Sequence, residues 1–201
     1  MRFWLALLAA VVLWQGLHWW QQRPVHQPDG VLAPLEPEQV AAPESAAIVI
    51  GGFSLLPQAH YRITARLLSI QHYRFGRDAE LSPLDFALGW GPMSDNRVLQ
   101  ALELSQSGRF FWLHWAVQPP LPETVLFTHA SNTHLIPATA EIGRQLARMR
   151  AGQVVTLDGQ LVNVTAADGW YWHTSLTRSD QGAGACELML VQVADVFLRG
   201  S

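Results

Sequence analysis

The stretch AHYRITARLLSIQHYRF, residues 59–75, decides the class of fold. Tyr61, Ile63, Ala65 and Leu67 share one parity, and Arg62, Thr64 and Arg66 share the other. A period of two sends these sets to opposite faces, so the segment reads as a half-exposed β-strand. Strand patterns recur around it. GRFFWLHWAV (108–117) is aromatic and ends before Pro119-Pro120. ETVLFTHA (123–130) reads as another strand. QVVTLDGQLVNVTA (153–166) contains Asp158-Gly159, a two-residue hairpin signal that would split it into two strands. GWYWHTSLT (169–177) alternates, and CELMLVQVADVFL (186–198) reads as a closing strand.

Helical signals are fewer. Ser82 before Pro83, with Asp85 following, reads as N-cap, first helical proline and first-turn acid of a short helix through Leu88, stopped by Gly89. Ser94 or Asp95 caps a second, with Val98, Leu99 and Leu102 on one face. Within IPATAEIGRQLARMRAG (136–152), Ile142, Leu146 and Met149 recur at i, i+4 and i+7 and Gly152 ends the third. About six strands and two or three short helices predict a mixed, β-dominated fold. It would be a small curled sheet or partly open β-barrel of OB or SH3-like type, preceded by an N-terminal transmembrane helix.

That helix is expected in residues 1–22. Phe3–Trp20 is largely apolar, and Trp19 and Trp20 sit where an interfacial aromatic belt would lie. The segment reads as a signal-anchor; a cleaved signal peptide and a buried helix are the other readings. Arg2 precedes the span and four acids follow it by residue 44, so the positive-inside rule puts the following domain outside the cytoplasm. In a bacterium that means an inner-membrane, single-pass protein facing the periplasm. Residues 23–46 are proline-rich and read as a tether. Residues 47–201 remain as the extracytoplasmic β-rich domain.

Composition narrows the partners. Only 14% of the residues are charged, and all 13 basic residues are arginine. A GC-rich genome accounts for that choice without any functional demand. The net charge of −3 argues against a nucleic-acid binder, which carries a basic footprint. The single cysteine makes no internal disulfide, and no cofactor motif is present.

Three stretches carry candidate chemistry. THASNTHLIP (128–137) places His129 and His134 five apart around Ser131, Asn132 and Thr133. The spacing is wrong for a helical metal pair and no third ligand lies nearby, so a polar turn or a ligand-facing loop is expected, not a metal site. SLTRSDQGAGACE (175–187) delivers Cys186 from a glycine-rich loop into a strand. A small buried side chain is one reading. The other is a nucleophile, with His134 or His129 as base and Arg178 or Arg199 as oxyanion partner. Trp90, Trp112, Trp115, Trp170, Tyr171 and Trp172 form the third group, and rings on both strand faces suggest a groove for sugar or peptide.

The order His, Cys, Arg on a β-rich domain behind an anchor resembles the sortase transpeptidases, which implies a cysteine-dependent transpeptidase or hydrolase. The Gly-Ala-Gly-Ala-Cys sequence departs from the Thr-Leu-x-Thr-Cys type of that family. ALGWGPMSD (87–95), HLIPA (134–138) and SLTRSDQGAGACE together resemble a family of uncharacterised, membrane-anchored bacterial proteins, which implies a location but no mechanism. The leading expectation is therefore a non-catalytic, membrane-tethered binding domain for an envelope protein or glycan. Its candidate binding residues are Trp90, Asp95, Asn132, His134, His173, Arg178 and Asp180.

Overall fold

In the computed structural model, which describes residues 4, 7, 8, 11, 16, 23–42, 45–177 and 185–197, residues 59–72 of that stretch lie within one 20-residue strand. The order of elements is β1 (Glu38–Ala41), β2 (Ile48–Ile50), β3 (Phe53–His72), α1 (Arg77–Leu81), β4 (Leu84–Gly89), a 3-10 turn (Gly91–Ser94) and α2 (Asn96–Leu99). Then come β5 (Glu103–Ser107), β6 (Phe110–His114), α3 (Glu123–Thr128), β7 (Ala130–Pro137), α4 (Ala140–Arg148), β8 (Val154–Ala166), β9 (Tyr171–Trp172) and β10 (Glu187–Val196).

The main sheet curls and partly closes. β3 pairs with β4, β4 with β7, β7 with β10, β10 with β8, and β8 returns to β3. All of these pairs are antiparallel except β7–β10, which is parallel. Within this circuit β3 serves two neighbours in succession because it is long: Phe53–Arg66 lies along β8 and Arg66–His72 along β4, while β1 and β2 pair with its first part. Register shifts at Pro57/Ala59, Leu67/Ser69 and Val191/Val193 bend the strands as bulges do. β5 and β6 form a separate two-stranded hairpin.

The sequence parity explains the core. Tyr61, Ile63, Ala65 and Leu67 point inward with Leu84, Phe86, Leu88, Leu135, Leu157, Met189 and Val191; α4 adds Leu146, and its C-cap adds Met149. Thr139 caps α4 by accepting from the Ile142 N–H at 3.2 Å. A second apolar cluster uses the other parity of β7 and β10: Ile136, Leu188 and Leu190 pack with Phe53, Leu55, Val162 and Val164. Both faces of β7 are therefore covered near its end.

Several elements differ from the sequence reading. Residues 84–89 form a strand, not a helix, with every residue buried. The helix comes earlier, at Arg77–Leu81. Residues 123–128 form a helix rather than a strand, begun by Pro122 and Glu123. Asp158-Gly159 makes no hairpin: β8 runs straight through, and a Cβ at Gly159 would fall 2.0 Å from the Leu190 carbonyl oxygen. That glycine marks close approach of two backbones. THASNTHLIP is mostly strand β7, not a loop. Part of the proline-rich tether is packed on the barrel. β1 pairs with β3, the Leu32 and Ala33 N–H groups donate to Ser94 Oγ, and Trp90 Nε1–H donates to Glu36 at 2.9 Å. Among the described residues no helix is long and apolar enough to cross a membrane, and most of the expected span at 3–20 lies outside them.

Candidate functional site

β4 and β7 run side by side with Asp85 opposite His134. Leu84 and Leu135, one residue away on each strand, point into the core, so Asp85 and His134 emerge on the outer face. That face is not open water. α1, in the β3–β4 connection, supplies Asp78; the hairpin tip supplies Arg109; the β8–β10 connection lays Trp170 and Trp172 across it.

Asp85 is completely buried and Arg109 nearly so, with 14% of its side chain exposed. A carboxylate in such a place needs charged and hydrogen-bonding partners. Arg109 Nη1–H donates to Asp85 at 2.7 Å, Nε–H to Asp78 at 2.8 Å and Nη2–H to the Ser82 carbonyl at 3.0 Å. Its guanidinium lies 3.7 Å from the Tyr73 ring centroid and 5.3 Å from that of Trp172. His134 Nδ1 sits 2.9 Å from Asp85 but without an aligned hydrogen bond, and its ring packs 4.8 Å from Trp172. Asn132 Nδ2–H donates to the Arg109 carbonyl at 3.0 Å and approaches Asp85 at 3.5 Å.

The backbone that brings Arg109 here is unusual. Gly108 and Arg109 both have positive φ, 57° and 71°, which makes a two-residue turn between paired Ser107 and Phe110. Arg109 is the sole non-glycine residue with positive φ among those described. A side chain in that region costs about 1–2 kcal/mol. The ion pairs and the Tyr73 stack offset it.

Two cavities flank this cluster. One, about 610 Å³, is lined by Asp78, Arg109, Phe110, His134, Trp170–His173 and Cys186. The other, about 320 Å³, is largely apolar and lies among Trp90, Phe110–Leu113, Phe127, Asn132 and Cys186. Arg77 is paired with Asp168 and lies 5.3 Å from the ring centroid of Trp170, which lines the larger cavity. That pair holds Asp168 below the ordinary carboxylate range.

His134 and His173 line the larger cavity, and Trp90 and Asn132 the smaller. Asp95 is in neither: it accepts from the Arg97 and Gly30 N–H groups, which lower its pKa, and it caps α2. Arg178, Asp180 and Arg199 lie outside the described residues. His129 and His134 are not neighbours in chemistry. His129 ends α3, before β7 begins, and its Nε2 faces Glu36 at 3.3 Å. Among the described residues no cluster of three or more His, Cys, Asp or Glu is placed to hold a metal.

Cys186 borders both cavities. Its Sγ contacts are Asn132 Nδ2 and the Arg109 carbonyl, each at 3.7 Å. Burial pushes the thiol up to about 11, with Glu187 and Asp85 adding to the rise against the Asn132 hydrogen bond. A nucleophilic cysteine requires the opposite shift.

Asp78, Asp85, Arg109 and Tyr73 were missed by the sequence reading. Asp85 had a signal: an acid inside the apolar run Leu84–Leu88 must find a partner if that run is buried. Arg109 had less, since only the folded hairpin aims it. No protein family, curated protein or solved structure matches the chain.

Proposed function

We propose that the chain is a non-catalytic, membrane-tethered binding domain of the bacterial envelope. Residues 1–22 anchor it in the inner membrane, and the barrel faces the periplasm and receives an envelope protein or glycan. The observation that carries the reading is the cleft on the outer face of β4 and β7, which combines a buried charged cluster with the rings of Trp170, Tyr171 and Trp172. Apolar walls with a few convergent polar groups are what ligand clefts have in common.

The strand order supports the choice of face. Numbering the ring strands β3, β4, β7, β8 and β10 as one to five gives the circuit 1-2-3-5-4, which returns to strand 1. The parallel pair is 3–5, and a helix lies between strands 3 and 4. We assign this arrangement to the OB type of barrel, whose second and third strands and 1–2 and 4–5 loops form the usual binding surface. The cleft lies on the corresponding elements. Nucleic acid is the common ligand of such barrels, yet 11 arginines against 12 acids after residue 46 argue against it here.

The cysteine-hydrolase alternative is weakened by a thiol shifted upward and by contacts to Asn132 and a carbonyl rather than to a base. The test is fluorine NMR of the full chain in nanodiscs with 5-fluorotryptophan, Trp170 and Trp172 being assigned by phenylalanine substitution. Soluble peptidoglycan fragments and short peptides are titrated in. Saturable movement of those two resonances is expected from one class. If neither class moves them, the binding reading is wrong.

A further inference from the structure

The guanidinium of Arg109 is bound as a ligand would be. Three of its nitrogens donate, to Asp78, to Asp85 and to a carbonyl, while its carbon lies 3.7 Å from the Tyr73 ring centroid and 5.3 Å from that of Trp172. Carboxylates with aromatic faces make up a seat for a flat cation. Yet the residue that fills it comes from outside the barrel, on the tip of a separate hairpin, with its backbone in a left-handed conformation. Backbone outliers of this kind gather at ligand clamps and switches. His134, 3% exposed, is a second polar group aimed into the seat, and its Nδ1 lacks an aligned hydrogen bond there.

We propose that this seat is a receptor for an arginine side chain of a partner polypeptide, closed in the free protein by the chain's own Arg109. The β5–β6 hairpin is then the lid that lifts to exchange one guanidinium for the other. The proposal rests on the binding reading above and narrows its ligand.

The electrostatics require an exchange. With Arg109 withdrawn, Asp85 would stand buried without its cation, so opening is opposed until another cation enters. A neutral sugar supplies no such charge. A lysine supplies one, but not the fork that meets three acceptors at once. The lid also links the two cavities. Phe110, the residue after Arg109, borders both, so lifting the tip would join the charged cleft to the apolar one. An arginine next to an apolar side chain fits that joined groove.

The test uses the same fluorotryptophan-labelled full chain and three probes: N-acetyl-arginine methylamide, its citrulline counterpart, which is a neutral isostere, and its lysine counterpart. The arginine probe is expected to move Trp172 and the hairpin's Trp112 together, and the citrulline probe to move neither. Arg109→Gln removes the internal competitor and should tighten the arginine probe about tenfold or more, because the competent fraction rises. Asp85→Asn, added to Arg109→Gln, should weaken the arginine probe about tenfold, because it keeps an acceptor and loses the charge. Should Arg109→Gln fail to fold, Arg109→Lys keeps the charge, loses the fork and gives the same comparison. Equal binding of citrulline, or unchanged affinity in both Arg109 variants, overturns the proposal. If peptidoglycan fragments move the cleft resonances while the arginine probe does not, the arginine receptor falls and the binding domain stands. If nothing moves them, both fall.

Discussion

Asp85→Ala is the sharpest probe of the cleft. The carboxylate is fully buried, and its substitution removes the 2.7 Å partner of Arg109 and the 2.9 Å neighbour of His134. Breaking a buried ion pair from one side costs about 3–5 kcal/mol, because the other charge is left uncompensated. Here Arg109 keeps Asp78, whose side chain is 40% exposed, and the Ser82 carbonyl. The low end applies, so about 3 kcal/mol is expected. For a domain of this size that is a fall in Tm of about 6–12 °C. Asp85→Asn retains an acceptor for the guanidinium and should cost about half as much. The assay is urea unfolding followed by circular dichroism and tryptophan fluorescence, run for both single variants and for Asp85→Ala combined with Arg109→Ala. The double variant should lose less than the sum of the singles by about 1.5 kcal/mol. An Asp85→Ala loss under about 1 kcal/mol, or strict additivity, would refute the buried pair as the keystone of this face.

Other expectations follow from single contacts. Cys186 should alkylate slowly in the native protein, its rate still climbing at pH 9.5; a plateau below pH 8 would mean an activated thiolate and revive the hydrolase reading. Because folding favours the protonated thiol, its contribution to stability is present below about pH 8.5 and lost as pH rises toward about 11, which denaturation at pH 8 and 10.5 can compare. Gly159→Ala should cost about 3 kcal/mol, since the new methyl lies 2.0 Å from the Leu190 oxygen; a neutral result in thermal melts would mean that β8 and β10 separate freely. A chain starting at Ala46 should melt well below one starting at Arg23, having lost β1 and the Leu32–Ala33 contacts to Ser94; equal melting would make that segment a passive tether.

How far the sequence was legible depends on how each strand is buried. β3 was readable because one of its faces is in the core and the other carries Arg62, Thr64 and Arg66. β4 was not, because both its faces are covered and alternation vanishes in LDFALG, while Ser82-Pro83 imitates a helix start. Residues 123–128 carry Thr, Val and Phe yet form a helix, since proline and an acid at the start favour one and local propensity is a weak prior. Asp158-Gly159 has the chemistry of a turn, but the glycine is used for its lack of a side chain against β10. The site shows the same division. His134 and Trp172 were visible as residue types, whereas the seat exists only once β4, α1 and the hairpin tip converge from positions 78, 85 and 109.

That convergence places two carboxylates around one guanidinium, and their charge separates cation binding from thiolate chemistry. Asp85 and Glu187 raise the Cys186 thiol beyond what burial does, so the environment opposes a thiolate. Asp85 and Asp78 at the same time hold a guanidinium between rings. A nucleophile-based site would need cations placed to stabilise an anion, with Arg109 directed at the sulfur. Instead Arg109 turns its guanidinium to the carboxylates and offers the sulfur only its backbone oxygen, 3.7 Å away. One arrangement of charge thus disfavours anionic chemistry at residue 186 and favours cations at residue 85. The carboxylates fit the proposed receptor for a positively charged side chain, and a hydrolase built on Cys186 would have to overcome them.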